Sequence, residues 1–378
     1  MRVLYGVTAP QTALAFLEGQ LRCVAARGHE VALMCPDDPG VRDFCAKEGA
    51  TFYPVPIERE LAIATEMRAA LAVRWAIRKH APDALIVGTP KMSALALPIA
   101  RLLRVPHRVY LVHGLRYEGA TGGLATLLKI LEVASVRLAT DSVAVSPSVA
   151  AKLAQLPFSR QPRVLGWGSA NGVNVQRFVP VDLNGRATAR AELGLPASSK
   201  VALFVGRLTG DKGLSELLAI ADSLDEDELL LVVGGEEPRS EGERQQIGCL
   251  VRHARVRSLG HRIDLPRIYA ASELLVLPTR REGLPTVLIE AAASGLPVVS
   301  YRVTGCVDVV TNGLTGALID FRSVGDFRDA VLRLLRDAPT ARAMGRAGRQ
   351  DVIARFDSRD VWRHWAEYLD SLPAGHAQ

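Results

Sequence analysis

The chain has 378 residues, which is too long for one compact core of ordinary size and predicts two or three domains. Apolar residues make up 48% and charged residues 23%, a globular composition that excludes disordered and fibrous classes. Residues 1–200 carry 24 Lys+Arg and 15 Asp+Glu, a balance of +9, so the net charge of +6 arises in the first half and the remainder is −3. This asymmetry predicts that the first half faces an anionic partner: nucleic acid, an acidic membrane surface or a phosphorylated substrate.

Neither a C-x-x-C pair nor a His at metal-ligand spacing accompanies the five cysteines, Cys23, Cys35, Cys45, Cys249 and Cys306. This argues against a disulfide framework and a structural zinc site. No apolar run reaches the roughly 18 residues that a membrane-crossing helix needs. The first residues lack the apolar core and cleavage site of a secretory leader, so we expect a cytoplasmic protein.

Short apolar runs alternate with helix-like segments along the whole chain. The predicted strands are residues 3–7, 30–34, 84–87, 108–112 and 142–145 in the first half, and 201–205, 229–233, 274–277 and 298–301 in the second. Helical spacing of apolar residues marks segments such as 13–27, 213–224 and 359–372. Apolar strands separated by helices indicate parallel sheets covered on both faces. The predicted fold class is α/β, with two doubly wound Rossmann-like domains facing a central cleft at the carboxyl ends of the strands.

Domain boundaries are predicted from the turn-rich segment 180–200, which contains Asn184-Gly185 and is interpreted as the join. The N-terminal domain is predicted over 1–178 and the C-terminal domain over 179–358, with a final helix in 359–378 that packs back on the first domain. The first strand–helix turn reads Thr8-Ala9-Pro10, and no G-x-G-x-x-G or P-loop motif is present. The absence of both motifs weakens dehydrogenase and NTPase interpretations.

Residues 277–299 form the most informative stretch, in which a strand leads through a loop into a helix. Pro285 is predicted at the first helical position, and Gly283 lets the backbone approach a ligand. Free N–H groups at the start of that helix would form an anion site. Glu282 and Glu290 are eight residues apart, which spans about 12 Å at helical rise. They would reach opposite ends of one nucleotide sugar, because carboxylates accept paired hydrogen bonds from vicinal hydroxyls.

A glycine-rich loop after the strand at 201–205 contains two cations, Arg207 and Lys212. Two cations at the carboxyl end of a strand would neutralise a diphosphate and stabilise the charge that builds as a glycosidic bond breaks. The alternative is a solvated loop with incidental charges. The two glutamates downstream favour the diphosphate interpretation.

These motifs resemble the GT4 family of retaining glycosyltransferases with the GT-B fold, and the match covers nearly the whole chain. The quoted stretches are Gly206-Arg207…Lys212-Gly213, Glu282-x₇-Glu290, Gly283-Leu284-Pro285, His113-Gly114-Leu115 and Asn171-Gly172-Val173-Asn174. The resemblance is to the branch that builds lipid-linked oligosaccharides, capsule or exopolysaccharide units. Many members carry a Gly-Gly pair in the first strand–helix turn, where this chain has Thr8-Ala9-Pro10. The departure concerns acceptor contacts and leaves the donor site unaffected.

The resemblance implies a role for each matching residue. Arg207 and Lys212 would hold the donor diphosphate, Glu290 the ribose hydroxyls and Glu282 the donor sugar. His113 would lie near the C6 end of that sugar. The other implied donor contacts are Gly206, the backbone at Gly283, Leu284, Pro285 and Thr286, the hinge residues Asn171 and Gly172, and Arg262 and Asp264 near the base.

The implied reaction is metal-independent transfer with retention, since no Asp-x-Asp dyad is placed between the phosphates. It would move a hexose or N-acetylhexosamine from a nucleotide sugar, UDP-linked, to a polyprenyl-diphosphate-linked saccharide or polysaccharide precursor, with no cofactor. The departing phosphate would take the acceptor proton, and Glu282 as a nucleophile is the weaker alternative. The rival functions are a nucleotide-sugar epimerase or hydrolase and a non-catalytic nucleotide-sugar-binding protein. Nucleic-acid binding is disfavoured, because aromatic residues are only 5%.

A stripe of Met67, Leu71 and Trp75 recurs at helical spacing beside several cationic residues. One interpretation is a core helix with a basic solvent face. The other is a surface that holds the protein peripherally on the anionic inner face of the plasma membrane. The charge of the first half favours the second interpretation.

Overall fold

The computed structural model describes residues 1–57, 63–120, 122–157 and 161–373. It divides into two compact units. Unit 1 is Met1–Gly172 together with the chain from Ser358 onward, and unit 2 is Val173–Asp357. The sequence placed the two boundaries at 178 and 358, close to these positions. No helix within the described residues has both the length and the apolar character that crossing a membrane requires.

Unit 1 is built on six parallel strands in the order β3-β2-β1-β4-β5-β6. The strands are β1 (Arg2–Gly6), β2 (Glu30–Cys35), β3 (Thr51–Pro54), β4 (Ala84–Val87), β5 (His107–Val112) and β6 (Asp141–Ala144). The central strands β1 and β4 pair in register from Val3 with Ala84 to Gly6 with Val87. Their apolar side chains are buried on both faces of the sheet, as expected of a parallel sheet between helices.

Among the described residues, six helices lie between these strands and a seventh follows β6. They are α1 (Pro10–Phe16), α2 (Gln20–Ala25), α3 (Pro39–Glu48), α4 (Ile63–His80), α5 (Pro90–Leu102), α6 (Gly122–Leu138) and α7 (Pro147–Leu153), with a 3-10 turn at Arg116–Gly119. The prediction of one helix over 13–27 is wrong, because the chain breaks into α1 and α2. The break is at Gly19, whose left-handed φ of 75° interrupts the helical hydrogen-bond pattern.

Unit 2 repeats the arrangement with six parallel strands in the order β12-β11-β10-β7-β8-β9. The strands are β7 (Lys200–Val205), β8 (Glu228–Val233), β9 (Val256–Ser258), β10 (Leu274–Leu277), β11 (Val298–Tyr301) and β12 (Gly316–Ile319). The predicted α/β class with two doubly wound parallel sheets is therefore confirmed. In each sheet the carboxyl ends of the strands lie together at one edge of that sheet, and the loops there carry the candidate site residues.

Eight helices belong to unit 2. They are α8 (Leu183–Glu192), α9 (Leu214–Ala221), α10 (Glu241–Arg252), α11 (Leu265–Ala270), α12 (Thr286–Ala293), α13 (Cys306–Val309), α14 (Val324–Arg336) and α15 (Ala338–Phe356), with a 3-10 turn at Gly210–Lys212. The interpretation of 180–200 as a linker is wrong, since this segment contains α8. Asp182 starts the helix by accepting a hydrogen bond from the Gly185 amide at 2.7 Å.

The last helix, α16 (Ser358–Asp370), belongs to unit 1 and contacts α2. Trp362 of α16 fills the space above Gly19, where an added Cβ would lie 2.3 Å from the indole ring. Farther along the helix, Asp370 accepts hydrogen bonds from His29 at 2.9 Å and from Arg27 at 2.8 Å. Apolar packing and ion pairs together hold the end of the chain on unit 1.

Candidate active site

The turn after β7 is packed against the loop after β10. Gly213 has a left-handed φ of 81°, and an added Cβ there would lie 2.4 Å from the carbonyl oxygen of Pro278. Real Cβ atoms do not approach an oxygen so closely, so only glycine permits this contact. The close packing brings the cation at the end of the Gly210–Lys212 turn beside the acidic loop that precedes α12.

Lys212 and Glu282 form an ion pair at this point, with Lys212 Nζ donating to Glu282 Oε1. Their side chains are only 16% and 17% exposed. The sequence assigned these two residues to different parts of one ligand, and the structure brings them into direct contact. Because an ammonium has three N–H donors, the pair leaves Lys212 further donors for an anionic ligand.

Asp211 organises the same turn from the other side. Its carboxylate accepts a hydrogen bond from the Thr209 hydroxyl and lies 3.5 Å from Arg239 and 3.7 Å from Arg281. Burial raises the pKa of Asp211, but the Thr209 hydrogen bond and the nearby cations outweigh burial and lower it overall. A charged Asp211 therefore holds Arg239 and Arg281 near the turn, which adds two cations that the sequence motifs did not identify.

Arg207 has a different partner from Lys212. Its guanidinium donates to Glu237 Oε2 at 2.9 Å, in the loop after β8, and both side chains are about half exposed. Gly234 allows that loop to pass close by, since a Cβ added at Gly234 would lie 1.8 Å from the Gly206 carbonyl oxygen. Arg207 and Lys212, the two residues predicted to bind the diphosphate, thus lie in the same loop. They contact carboxylates on opposite sides of that loop, Glu237 and Glu282.

Helix α12 begins one residue later than the sequence predicted. Thr286 is its first residue, and Pro285 is the N-cap and not the first helical residue. No side chain caps this end, so the first turn presents backbone N–H groups to its surroundings. Gly283 and Leu284 lie in the loop that leads to this end, as expected.

The peptide of that loop rests on Gly305, which precedes α13. Gly305 has a φ of 80°, and an added Cβ would lie 2.5 Å from the Gly283 carbonyl oxygen. The next residue, Cys306, is fully buried, and its thiol pKa is raised by burial and by the charge of Glu282. The loop that carries Glu282 is therefore packed at two points. Pro278 lies against Gly213, and the carbonyl of Gly283 lies against Gly305.

Glu290 lies on the second turn of α12 and accepts a hydrogen bond from the Tyr269 hydroxyl at 2.8 Å. Burial raises the pKa of Glu290 to about 7, although the Tyr269 hydrogen bond and the charge of Arg177 lower it. Sequence reasoning missed Tyr269, which lies on α11 and is fully buried. A Tyr among apolar neighbours in a helix was the available signal, because a buried Tyr hydroxyl usually has a polar partner.

The segment before α11 contains the predicted base-side residues. Arg262 donates two hydrogen bonds to Asp264, at 2.8 and 2.6 Å, which satisfies both side chains mutually. Arg177 donates to the carbonyl oxygen of Ile263 between them at 3.2 Å. The side chains therefore hold the loop in shape, and its backbone is the part left to meet a ligand.

In unit 1, His113 follows β5 and lies over Gly88 at the end of β4. A Cβ at Gly88 would lie 2.9 Å from His113 Nε2, so the glycine makes room for the imidazole. The ring packs on Phe16 with centroids 5.5 Å apart, and burial lowers the pKa of His113 to about 4. Thr8, in the first strand–helix turn, donates to the Thr89 hydroxyl at the same edge of the sheet.

Asn171 and Gly172 lie at the end of the first part of unit 1. Asn171 accepts from Trp362 Nε1 at 2.7 Å and donates to the Glu18 carbonyl oxygen at 3.0 Å. Gly172 has a φ of 67° and donates its N–H to Ser169 Oγ at 2.8 Å. Each polar atom of the Asn171 amide has a partner within unit 1, so its side chain anchors α16, and its implied donor contact stays a prediction.

Among the described residues, no group of three or more His, Cys, Asp or Glu side chains is arranged to hold a metal ion. The positive charge next to the amino end of α12 comes from Lys212 and the neighbouring arginines. This arrangement suits an anionic ligand with several oxygens, such as a diphosphate.

The class of protein follows from the two sheets together with this cation- and carboxylate-bearing edge. They are the architecture of GT-B glycosyltransferases. The structure of Anabaena Alr3699/HepE in complex with UDP-glucose superposes with a TM-score of 0.81, covering 98% of this chain and 100% of that one at 19% identity. At this identity the comparison shows the fold.

Two family models match consecutive parts of the sequence. The glycosyl transferase 4-like domain matches residues 14–167, and glycosyl transferases group 1 matches residues 185–351. The chain therefore belongs to the GT4-like glycosyltransferases, and the resemblance inferred from its motifs is confirmed.

Curated relatives extend over most of the chain. The capsular polysaccharide biosynthesis glycosyltransferase CapM of Staphylococcus aureus is 27% identical over 98% of this chain and 96% of its own. The UDP-Gal:alpha-D-GlcNAc-diphosphoundecaprenol alpha-1,3-galactosyltransferase of Escherichia coli is 25% identical over 82% of this chain and 80% of its own. The similarity thus includes both units.

Proposed function

We propose that this chain is a retaining hexosyltransferase. It transfers a hexose or N-acetylhexosamine from a UDP-sugar to a lipid-linked saccharide or polysaccharide-precursor acceptor, and it requires no metal. The observation that carries the proposal is the contact of Lys212 with Glu282 beside the uncapped amino end of α12. A cation, a carboxylate and free backbone amides at one place match the diphosphate and the sugar of such a donor.

Each donor group is assigned to residues of unit 2. Lys212 and Arg207 bind the diphosphate, with the first-turn amides of α12 beside them. Glu282 accepts hydrogen bonds from sugar hydroxyls, and Glu290 accepts them from the ribose. The backbone of 259–264 contacts the base. In unit 1, neutral His113 contacts the sugar near C6.

The transfer breaks one bond, forms another and moves one proton. The bond between the anomeric carbon and the UDP oxygen breaks, and the negative charge that develops on the leaving phosphate is stabilised by Lys212, Arg207 and helix amides. The acceptor oxygen forms the new bond on the same face and gives its proton to the departing phosphate oxygen. The ion pair with Lys212 makes Glu282 a poor nucleophile, which favours this route over a covalent intermediate.

The relatives support the choice of donor and acceptor. The E. coli enzyme is named for a UDP-sugar donor and a diphosphoundecaprenol-linked acceptor, and CapM for capsular polysaccharide biosynthesis. The Anabaena protein was crystallised with UDP-glucose. A lipid-linked saccharide or polysaccharide-precursor acceptor for this chain is supported by the E. coli relative and CapM, together with the positive charge of its first half.

The test is a donor and acceptor screen with product analysis. UDP-glucose, UDP-galactose and their N-acetyl counterparts are incubated with polyprenyl-diphosphate sugars, with and without EDTA, and the anomeric configuration of the product is read by NMR. We expect an α-linked product that forms equally in EDTA. An inverted product, a requirement for added metal, or donor consumption without acceptor would contradict the proposal, the last indicating a hydrolase or epimerase.

Substitution of the ion pair gives an independent test. Lys212→Ala should lower kcat/KM by about 10²–10³-fold, because it removes a cation from the developing charge. Lys200→Ala is the matched control. Lys200 is the first residue of β7, at the opposite end of that strand from the loop that carries Lys212, and it pairs with Asp227 at 3.3 Å. Equal activity of the two variants would refute the assigned role of Lys212.

A further inference from the structure

Helix α6 buries two polar side chains next to Val136 and exposes a row of apolar side chains. Glu132 and Ser135 are buried at 8% and 6% exposure, and Glu132 accepts a hydrogen bond from Tyr110 at 2.8 Å. The exposed residues are Leu124 at 58%, Leu127 at 53%, Ile130 at 59% and Leu131 at 43%. A helix whose outer side meets only water usually exposes polar and charged side chains there.

Helix α4 carries a second exposed apolar row. Met67, Leu71 and Trp75 follow one another at four-residue spacing and are 62%, 63% and 51% exposed. Trp75 and Leu71 line an open surface depression of about 550 Å³ with Arg74, Arg78 and Lys79. Lys79 Nζ lies 5.2 Å from the centre of the Trp75 ring. This row therefore combines an interfacial aromatic residue with cations.

The two rows lie on the same face of unit 1. Helices α4, α5 and α6 make the successive connections from β3 to β4, β4 to β5 and β5 to β6. Right-handed crossovers between parallel strands that follow one direction place their helices on one side of the sheet. Accordingly, α5 contacts both α4 and α6.

The charge of this face is positive. Its cations are Arg68, Arg74, Arg78 and Lys79 on α4, Lys91 and Arg101 on α5, and Lys129 and Arg137 on α6. Within these three helices as the structure bounds them, the only carboxylates are Glu66 and Glu132. Glu66 pairs with Lys91 at 2.6 Å, and Glu132 is buried. An apolar surface with a cationic margin matches a bilayer with anionic headgroups.

We propose that the face formed by α4, α5 and α6 docks on an anionic bilayer. Leu124, Leu127 and Leu131 of α6 enter the boundary between headgroups and acyl chains, and Arg74 and Arg78 of α4 contact lipid phosphates. Trp75 takes the position that indole rings favour at such an interface. A second copy of the chain fits this face less well, because its cations would then oppose one another. Docking needs neither donor nor acceptor, so it stands or falls separately from the proposed transfer.

The test measures binding of the full chain to lipid vesicles by sedimentation. Vesicles contain phosphatidylcholine alone or phosphatidylcholine with phosphatidylglycerol, at low and high salt. We expect binding to the anionic vesicles that weakens with salt. Replacing the α6 row by Leu124→Gln, Leu127→Gln and Leu131→Gln together should lower the partition coefficient by about tenfold or more, since three apolar side chains no longer insert.

A second test variant separates the electrostatic contribution from the apolar one. Arg74→Glu with Arg78→Glu should lower binding to anionic vesicles by about tenfold and leave binding to neutral vesicles unchanged. The matched controls are Leu183→Gln, 81% exposed in unit 2, and Arg342→Glu with Arg346→Glu, on α15. Melting temperatures verify that each variant is folded, which is expected because the replaced side chains are exposed.

Three results would overturn the proposal. One is the absence of wild-type binding to anionic vesicles, and another is binding by the triple α6 variant at the wild-type level. The third comes from light scattering in the absence of lipid. A wild-type dimer that the triple variant converts to a monomer would assign this face to a second copy of the chain.

Discussion

The ring of His113 is neutral in this structure over the whole physiological range. Burial lowers its pKa to about 4, so protonation requires acid far below neutrality. We therefore expect His113 to cause no titration of activity near the ordinary histidine pKa of about 6.5, and any step near neutrality that comes from Glu290, whose pKa is about 7, should persist in His113→Ala. His113→Ala should lower kcat by about tenfold to a hundredfold through the loss of a sugar contact. The measurement is the pH dependence of kcat/KM for both forms. A step near neutrality that His113→Ala abolishes would show that the charged imidazole acts.

The buried carboxyl group of Glu132 makes the free energy of unfolding depend on pH. Burial raises its pKa from 4.5 to about 7 despite the hydrogen bond from Tyr110. Between these values the unfolded chain releases the proton while the folded chain keeps it, so the free energy of unfolding falls as pH rises. The loss is about 1.4 kcal/mol per pH unit and about 3 kcal/mol over the window. It stops once the pH exceeds the folded-state value.

Glu132→Gln removes this dependence, because an amide does not ionise. Urea unfolding followed from about pH 5 to pH 8 should show the variant gaining stability relative to wild type as pH rises. Glu226→Gln, an exposed change in unit 2, is the control. Parallel pH curves for wild type and Glu132→Gln would mean that Glu132 is already ionised at low pH.

Residue types and spacing predicted much of the candidate site, but not its contacts. Glu282 and Glu290 were chosen as candidates because their separation suits a strand–loop–helix unit. The bond between Lys212 and Glu282 was not predictable, since it depends on the packing of two loops that are far apart in sequence. Tyr269 was missed for the same reason, because its partner lies on a different helix.

At the scale of elements, glycines determine how the loops at the sheet edge stack. Gly305 and Gly313 have nearly equal left-handed φ angles of 80° and 78°. A Cβ at Gly305 would lie 2.5 Å from the Gly283 carbonyl, whereas one at Gly313 would meet nothing within 4 Å. Gly305→Ala therefore adds a collision to the backbone strain of about 1 kcal/mol that both changes share.

We expect Gly305→Ala to lower activity by at least about tenfold through displacement of Glu282, and Gly313→Ala to leave kcat/KM near that of wild type. Steady-state kinetics and melting curves of the two variants measure this difference. If both variants lose stability equally and keep equal activity, the loop can shift without consequence, and the stacking does not position Glu282.

Elements in the middle of each sheet were predicted better than those at its edges. The apolar runs of β1, β4, β7 and β10 identify central strands, since both of their faces are buried. Among the edge strands that the structure describes, β6 was identified by its apolar run, whereas β3 and β9 were missed because most of their residues are not buried, and β12 was missed although it is mostly buried. The break at Gly19 was also missed, because the indole of Trp362 that occupies the space of a Cβ there lies far along the chain.

At the scale of the whole molecule, α16 packs the last described segment of the chain onto unit 1. Trp362 both fills the space over Gly19 and donates to Asn171 at 2.7 Å. Trp362→Ala should destabilise unit 1 by about 2–4 kcal/mol, because it leaves a cavity and an unpaired buried amide. Thermal unfolding should show an earlier transition, while the Kd for UDP should change little if unit 2 alone holds the nucleotide.

Trp167→Ala is the comparison for that variant, since Trp167 is also in unit 1 but 55% exposed. An equal loss of stability in both variants would mean that α16 contributes no specific anchoring. A large change in UDP affinity in Trp362→Ala would instead mean that nucleotide binding depends on unit 1.

The two ends of unit 2 meet at one point. The amide of Val173 donates to the carbonyl oxygen of Phe356 at 2.9 Å, so the chain enters and leaves this unit through adjacent positions. A segment with adjoining ends is suited to exchange as a cassette. Transplanting residues 173–357 from a relative that uses another sugar would then alter donor choice and leave acceptor preference with the recipient. Such chimaeras would divide the two specificities at a single pair of cuts.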